Sequence, residues 1–167
     1  MNALNWEDIF VDASQLNFNQ LLLEWPGMTT GQIRPIGASA FGDLFFEIRT
    51  GEVQRIDVLE GGVSTAAESF QQFTALMNSQ EWQEQNLLTQ GVALLKERGV
   101  ARGPSQFFGF SPHPALAGRI DWSRVIPLDA AVWNSICAQS LGYAPAPEAQ
   151  PAPIPQPKSA WWKWGRR

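Results

Sequence analysis

The stretch from Phe41 to Gly62 constrains this chain more than any other. Leu44, Phe46 and Ile48 alternate with Phe45, Glu47 and Arg49. A period of two is the spacing of a β-strand, whose successive side chains point to opposite faces. Thr50 and Gly51 then supply a tight turn, glycine being free to take a positive φ without steric penalty. On the return, Ile56 and Val58 share one face and Arg55 and Asp57 the other, until Gly61 and Gly62 end the run. The segment predicts a β-hairpin closed at both ends by glycine–acid pairs. Val63-Ser64 is expected to begin a third strand, and Ile33–Ile36 is a further short strand candidate.

Elsewhere the apolar residues recur at helical spacing. A short helix is expected over Asn5–Phe10. A longer one is expected over Ser14–Trp25, with Leu16, Phe18, Leu22 and Leu23 as its apolar side and Pro26-Gly27 as its stop. Thr65 and Glu68 stand at capping-box spacing ahead of Phe70, Phe73 and Met77. Asn78 and Glu81 offer a second start, with Trp82, Leu88, Val92 and Leu95 in register up to Gly99. A last helix is expected over Leu128–Leu141, with Leu128, Val132, Ile136 and Ser140 aligned. Strand-period and helix-period blocks that stay separate predict an α+β fold. Its form is a small antiparallel β-sheet with a central hairpin, packed against several α-helices.

A hydrophobic content of 44% with 17% charged residues is that of a globular chain, and 167 residues suffice for one domain plus an appendage. The expected domain is 1–142. Residues 143–167 read as a linker with six of the twelve prolines, tipped by Trp161, Trp162, Lys163, Trp164, Arg166 and Arg167. Proline at that density fixes φ and removes amide donors, so the linker is expected to be extended. Cys137 is the one cysteine, which excludes an internal disulfide and suits a reducing compartment. No stretch approaches the ~18 apolar residues of a membrane span. Glu7, Asp8 and Asp12 stand where a secretory signal would be basic. The expected location is cytoplasmic.

Charge divides along the chain. Residues 1–142 hold 8 Lys/Arg against 15 Asp/Glu, a net −7, and residues 143–167 hold 4 against 1, a net +3, which together give −4. An acidic body repels nucleic acid and steers basic partners toward it. No direct nucleic-acid contact by the folded domain is expected.

The catalytic inventory is thin, and no catalytic, metal or cofactor-binding residue is assigned. His113 is the one histidine, held between Pro112 and Pro114; it reads as an exposed loop residue, with general-base work as the competing role. One histidine and one distant cysteine do not make an ordinary zinc site. Cys137 reads as a buried structural thiol. There is no phosphate-binding glycine loop followed by lysine, and no serine elbow. Asp43 and Asp57 stand near one another in the hairpin register, where position 44 roughly faces 57. They form either a carboxylate pair or a turn cap and a solvated side chain. Five tryptophans, Trp6, Trp25, Trp82, Trp122 and Trp133, lie within the expected domain; Trp122 is the candidate for a binding surface. The tail tip suits an anionic membrane or a nucleic acid, a protein partner, or no partner at all.

Several blocks occur in an order that resembles one family: Phe41-Gly42-Asp43-Leu44-Phe45-Phe46, Gly51-Glu52-Val53, Asp57-Val58-Leu59-Glu60-Gly61 and Phe70 to Phe73. Gly103 to Phe110, Pro114-Ala115-Leu116-Ala117-Gly118 and Asp129 to Trp133 complete the set. Over roughly residues 30–141 the chain resembles the C-terminal domain of the Tdi-type immunity proteins of the type VI secretion system. Longer members carry a further N-terminal domain and commonly have glycine where Ala117 stands, and the proline-rich tail is outside the pattern. The resemblance implies a non-catalytic protein that binds a nuclease toxin in the cytoplasm. Nucleases present basic clefts, so Asp43, Glu47, Glu52, Asp57 and Glu60 are the candidate partner-binding residues, with Trp122. The competing expectation is an intracellular adaptor whose tail docks to a protein or a membrane.

Overall fold

The computed structural model describes residues 3–29 and 31–143. The proline-rich linker and the tryptophan-tipped tail lie, from residue 144 onward, outside the described residues. The fold is α+β: among the described residues there are seven α-helices, a five-stranded antiparallel sheet and a two-stranded one. The larger sheet is an antiparallel meander of β1 (Phe10–Asp12), β2 (Ile33–Ser39), β3 (Leu44–Ile48), β4 (Val53–Ile56) and β5 (Val63–Ala67), in chain order. The smaller pairs β6 (Gln106–Phe110) with β7 (Val125–Asp129). The helices are α1 (Trp6–Ile9), α2 (Phe18–Leu22), α3 (Phe70–Met77), α4 (Gln80–Leu87), α5 (Thr89–Glu97), α6 (Pro114–Ala117) and α7 (Ala130–Ser140).

The hairpin stands at the centre as β3–β4. Leu44 faces Ile56, one position from the expected Asp57, and Glu47 faces Val53. Gly51, at φ +96°, makes the turn. Leu44, Phe45 and Phe46 are all fully buried, so this part of the sheet is covered on both faces. On the Phe45 face, the ring packs on Phe10 of β1, Phe73 of α3 and Trp82 of α4, with centroids 5.9, 5.5 and 6.2 Å away. Burial of each such ring stabilises the fold by about 1.5–3 kcal/mol. The small sheet is fastened to the β2–β3 connection by the Phe108 amide donating to the Ala40 carbonyl (2.8 Å). Buried Asn134 ties α7 to α2, accepting from the Trp25 indole (2.9 Å) and donating to the Leu21 carbonyl (2.8 Å).

Four expected helices differ from those observed. The Ser14–Trp25 helix is replaced by a 3₁₀ turn at Ala13–Gln15 and the short α2, because the Asp12 carboxylate caps Ser14 and Leu16 is extended. Its buried side is Phe18, Leu21 and Trp25, while Leu23 is 79% exposed. Thr65 lies in β5 opposite Gln54, the free edge of β4 offering ladder bonds that a helix would forgo. Helix α3 begins instead after Ser69, whose hydroxyl accepts from the Gln72 amide. The Trp82–Leu95 helix breaks at Leu88, a non-glycine residue at φ +53°, into α4 and α5. Leu128 belongs to β7, and α7 starts after Asp129, whose carboxylate accepts from the Ala131 and Val132 amides. Trp133, Asn134, Cys137 and Ala138 form the buried side of α7; Val132 and Ile136 are exposed.

Strands β1 and β2 approach so closely at Gly37 that a Cβ there would sit 2.4 Å from the Val11 carbonyl oxygen and from the Phe10 ring. Backbone cannot yield as a flexible side chain can. Gly37→Ala is therefore expected to lower the unfolding free energy by about 1–3 kcal/mol, read from urea unfolding midpoints. An unchanged midpoint would refute this packing.

Candidate functional site

The β2–β3 connection is a tight turn built from short-range bonds. The Ser39 hydroxyl accepts from the amides of Phe41 (3.3 Å) and Asp43 (3.1 Å). Gly42 takes φ +103°, and a Cβ there would meet the rings of Phe107 (3.1 Å) and Trp133 (3.2 Å). The Trp133 indole donates to the Phe41 carbonyl at 2.7 Å and holds the turn from α7.

This turn delivers the Asp43 side chain into the interior, where it is 5% exposed. One carboxylate oxygen accepts from Arg55 Nε (3.1 Å) and Nη2 (2.5 Å), and the other accepts from the Val58 amide (2.9 Å). Arg55 also donates through Nη1 to Asn86 of α4 (3.1 Å). Asp57 approaches the same nitrogen, 3.7 Å from Nη2. Its other oxygen accepts from the Leu59 and Glu60 amides, both at 2.9 Å, and closes the loop that Gly61 and Gly62 complete. Asp43 and Asp57 are thus brought together, as two carboxylates 2.5 and 3.7 Å from one arginine nitrogen. Burial pushes the Asp43 carboxyl up to about 6, with the Asp57 charge adding to the rise and Arg55 and the Val58 amide opposing it.

His113 is buried, not exposed in a loop as the sequence led us to expect. Its Nε2 lies 2.9 Å from the Val58 carbonyl, and its Nδ1 accepts from the Ala115 amide (3.0 Å). An acceptor at Nδ1 requires the proton on Nε2, so the ring is the neutral tautomer and donates to Val58. Burial holds its pKa below the ordinary value. Val58 is therefore gripped at both ends, its amide by Asp43 and its carbonyl by His113. Burial likewise pushes the Cys137 thiol up, and the charges of Asp43 and Asp57 push it further.

Above this network lies a cavity of about 610 Å³ between the Asp57–Glu60 loop, the end of α4 and α6. Leu59, Leu88, Ile120 and Leu141 give it apolar walls, while Asp57, Glu60, Arg55 and Arg119 supply charge. Among the described residues, no group of three or more His, Cys, Asp or Glu is arranged to hold a metal ion. No helix there is long and apolar enough to cross a membrane.

No family model and no curated protein matches this chain. Among solved structures, the chain is similar to Atu4351 from Agrobacterium tumefaciens, at 18% identity and a TM-score of 0.47. The match covers 72% of this chain, and the chain spans about 62% of that protein's length.

The six sequence-derived candidates do not form one surface. Asp43 is buried and bonded to Arg55, so it presents no charge to a partner. Glu47 is paired with Arg34 at 3.0 Å, and with Glu52 it flanks the hairpin turn. Four residues of strand, roughly 13 Å, separate that end from the Asp43 end, where Asp57 and Glu60 lie. Trp122 is half-buried, its ring edge-on to Phe41 (5.6 Å) and Phe110 (5.5 Å) and filling the space above Gly91. The glycine, with no side chain, makes that space, so Trp122 serves packing. Arg55 and His113 belong to the network but were not among the candidates. The signal for Arg55 was its place on the same face of the return strand as Asp57.

The raised Asp43 pKa has a definite sign. The folded carboxyl binds its proton more tightly than the unfolded one, whose ordinary value is 3.8. Its stabilising contribution is complete below about pH 4 and is lost as pH rises through about 6. The unfolding free energy of the wild-type chain, minus that of Asp43→Asn, should fall by up to about 3 kcal/mol between pH 4 and 7. A difference that stays flat or grows over that range would show an ordinary or depressed carboxyl. His113 opposes this trend in both chains and cancels in the subtraction.

Proposed function

We propose that this chain is a non-catalytic binding protein of the immunity type, which binds a basic nuclease toxin and occludes its DNA-binding cleft. The observation that carries this reading is the distribution of acid. Of the 15 Asp and Glu residues before Tyr143, Asp43 alone is buried. The net −7 of residues 1–142 is thus borne almost wholly by side chains that reach solvent. A surface of that sign attracts the cleft a nuclease uses for phosphate and speeds encounter with it. The groups that could have done chemistry are committed inside the fold, His113 at both nitrogens and Asp43 at both oxygens. The sequence resemblance to Tdi-type immunity domains supports the same reading and supplies the class of toxin. Occlusion needs no turnover, and the reading puts the protein in the cytoplasm beside the toxin it neutralises.

The full chain, used as bait in a lysate of its own organism, should retain a basic nuclease in stoichiometric amount and abolish its DNA cleavage in vitro. The association rate should fall at least tenfold between 50 and 500 mM salt, as screening shortens the reach of surface charge. A salt-independent rate would remove the electrostatic part of the reading. Retention of membrane or unrelated proteins only, with no nuclease, would replace it with the tail-docking adaptor.

A further inference from the structure

The acids of this protein are spread over its surface, and two cavities among the described residues set acids beside apolar walls. One, of about 590 Å³ beside α1 and α5, holds Glu7, Asp8 and Asp12 together with Lys96 and Arg102; Asp8 is paired with Lys96 at 2.9 Å and Asp12 caps Ser14. The hairpin turn carries Glu47 and Glu52, but Glu47 is paired with Arg34. At the opposite end of the hairpin, the cavity of about 610 Å³ has a different balance. Arg55 is consumed by Asp43 and Asn86. Arg119, 76% exposed at its side chain, leans toward Asp121 at 3.7 Å. The Glu60 carboxylate has no ion-pair partner among the described residues, and Asp57 meets Arg55 only at 3.7 Å. Leu59, Leu88, Ile120 and Leu141 line the walls, and Leu116 projects from α6, 69% exposed.

Resting on the reading above, we propose that this cavity receives an arginine or lysine side chain of the basic protein partner. Its charged end would be set between Asp57 and Glu60, and its aliphatic stem against Leu88 and Ile120. A long cationic side chain has this double character, an apolar stem and a charged head. A guanidinium buried against carboxylates in a pocket is also a common anchor of protein interfaces. The volume falls within the roughly 300–1,000 Å³ of specific small-group sites. Leu88 and Ile120 give the anchor apolar walls that exclude water and strengthen the charge contact.

The test uses the full chain labelled with ¹⁵N and two capped pentapeptides, Gly-Leu-Arg-Leu-Gly and the same peptide with citrulline for arginine. Citrulline keeps the shape and removes the charge. The arginine peptide should shift the amides of Leu59, Glu60, Ala115 and Ile120, and bind at least tenfold more tightly than the citrulline peptide. Glu60→Gln should weaken it about fivefold or more, and Glu52→Gln should leave it unchanged. Shifts centred on Glu47 to Glu52 or spread over all acids, equal affinity for the two peptides, or no binding would overturn the proposal. So would displacement of residues 158–167 by the peptide, which would make the chain's own basic tail the occupant. Capture of the nuclease by Ile120→Glu as tightly as by the wild type would reject the site while leaving the immunity reading in place. A seated arginine peptide with no nuclease captured would reject that reading and keep the site.

Discussion

The carboxylate of Asp43 joins parts of the chain that would otherwise have no reason to stay in register. It enters from the β2–β3 turn, takes two bonds from Arg55 on β4 and one from Val58 beyond it. Arg55 carries the connection to Asn86 on α4, and the Val58 carbonyl carries it to His113 at the start of α6. A buried charge of this kind is tolerable only because every oxygen is bonded, and removal of one partner typically costs about 3–5 kcal/mol. The hairpin's lower end, the Asp57–Gly62 loop and α6 are thus held by one polar cluster, in a core made mainly of aromatic and aliphatic side chains.

That cluster joins segments that lie far apart in the chain. Phe41 to Asp43, Asp57 to Gly61, Pro114 to Gly118 and Trp133 meet around Val58 and the Phe41 carbonyl. Their side chains are mostly committed to one another. Apart from Glu60 they build the frame of the cavity, while Glu60, Ile120 and Arg119 form its solvent-facing border. Frame and border obey different physics. The frame depends on burial and fully made hydrogen bonds, whereas the border is open to solvent and tolerates change within a few tenths of a kcal/mol.

Several features were legible from residue order because they rest on local rules. The alternation of Leu44 to Ile48 and the glycine turn at Gly51 are local, and the hairpin formed there. Ser79, inside the expected Asn78–Glu81 start, does cap α4. Cys137 was expected to be buried, and is. Two of the failures share a cause. Thr65 and Glu68 have capping-box spacing, but the unpaired edge of β4 offered a whole strand of ladder bonds and drew Val63–Ala67 into the sheet. Leu128 continues the helical pattern of α7, yet pairs with Phe107 because β6 needs a partner.

The sequence by itself determined the α+β class, the central hairpin and the excess of acid over base, since each depends on residue type and near-neighbour spacing. Tertiary structure decided which of those acids face solvent. Asp43 and Asp57 share a sheet end and line one cavity, but only the packed tertiary structure makes the first interior and leaves the second partly exposed. It likewise decided that His113 and Trp122 are packing groups, because the contacts that bury them come from Val58 and Gly91, distant in the chain. Spacing along a chain carries no information about such contacts, which exist only after the core has closed.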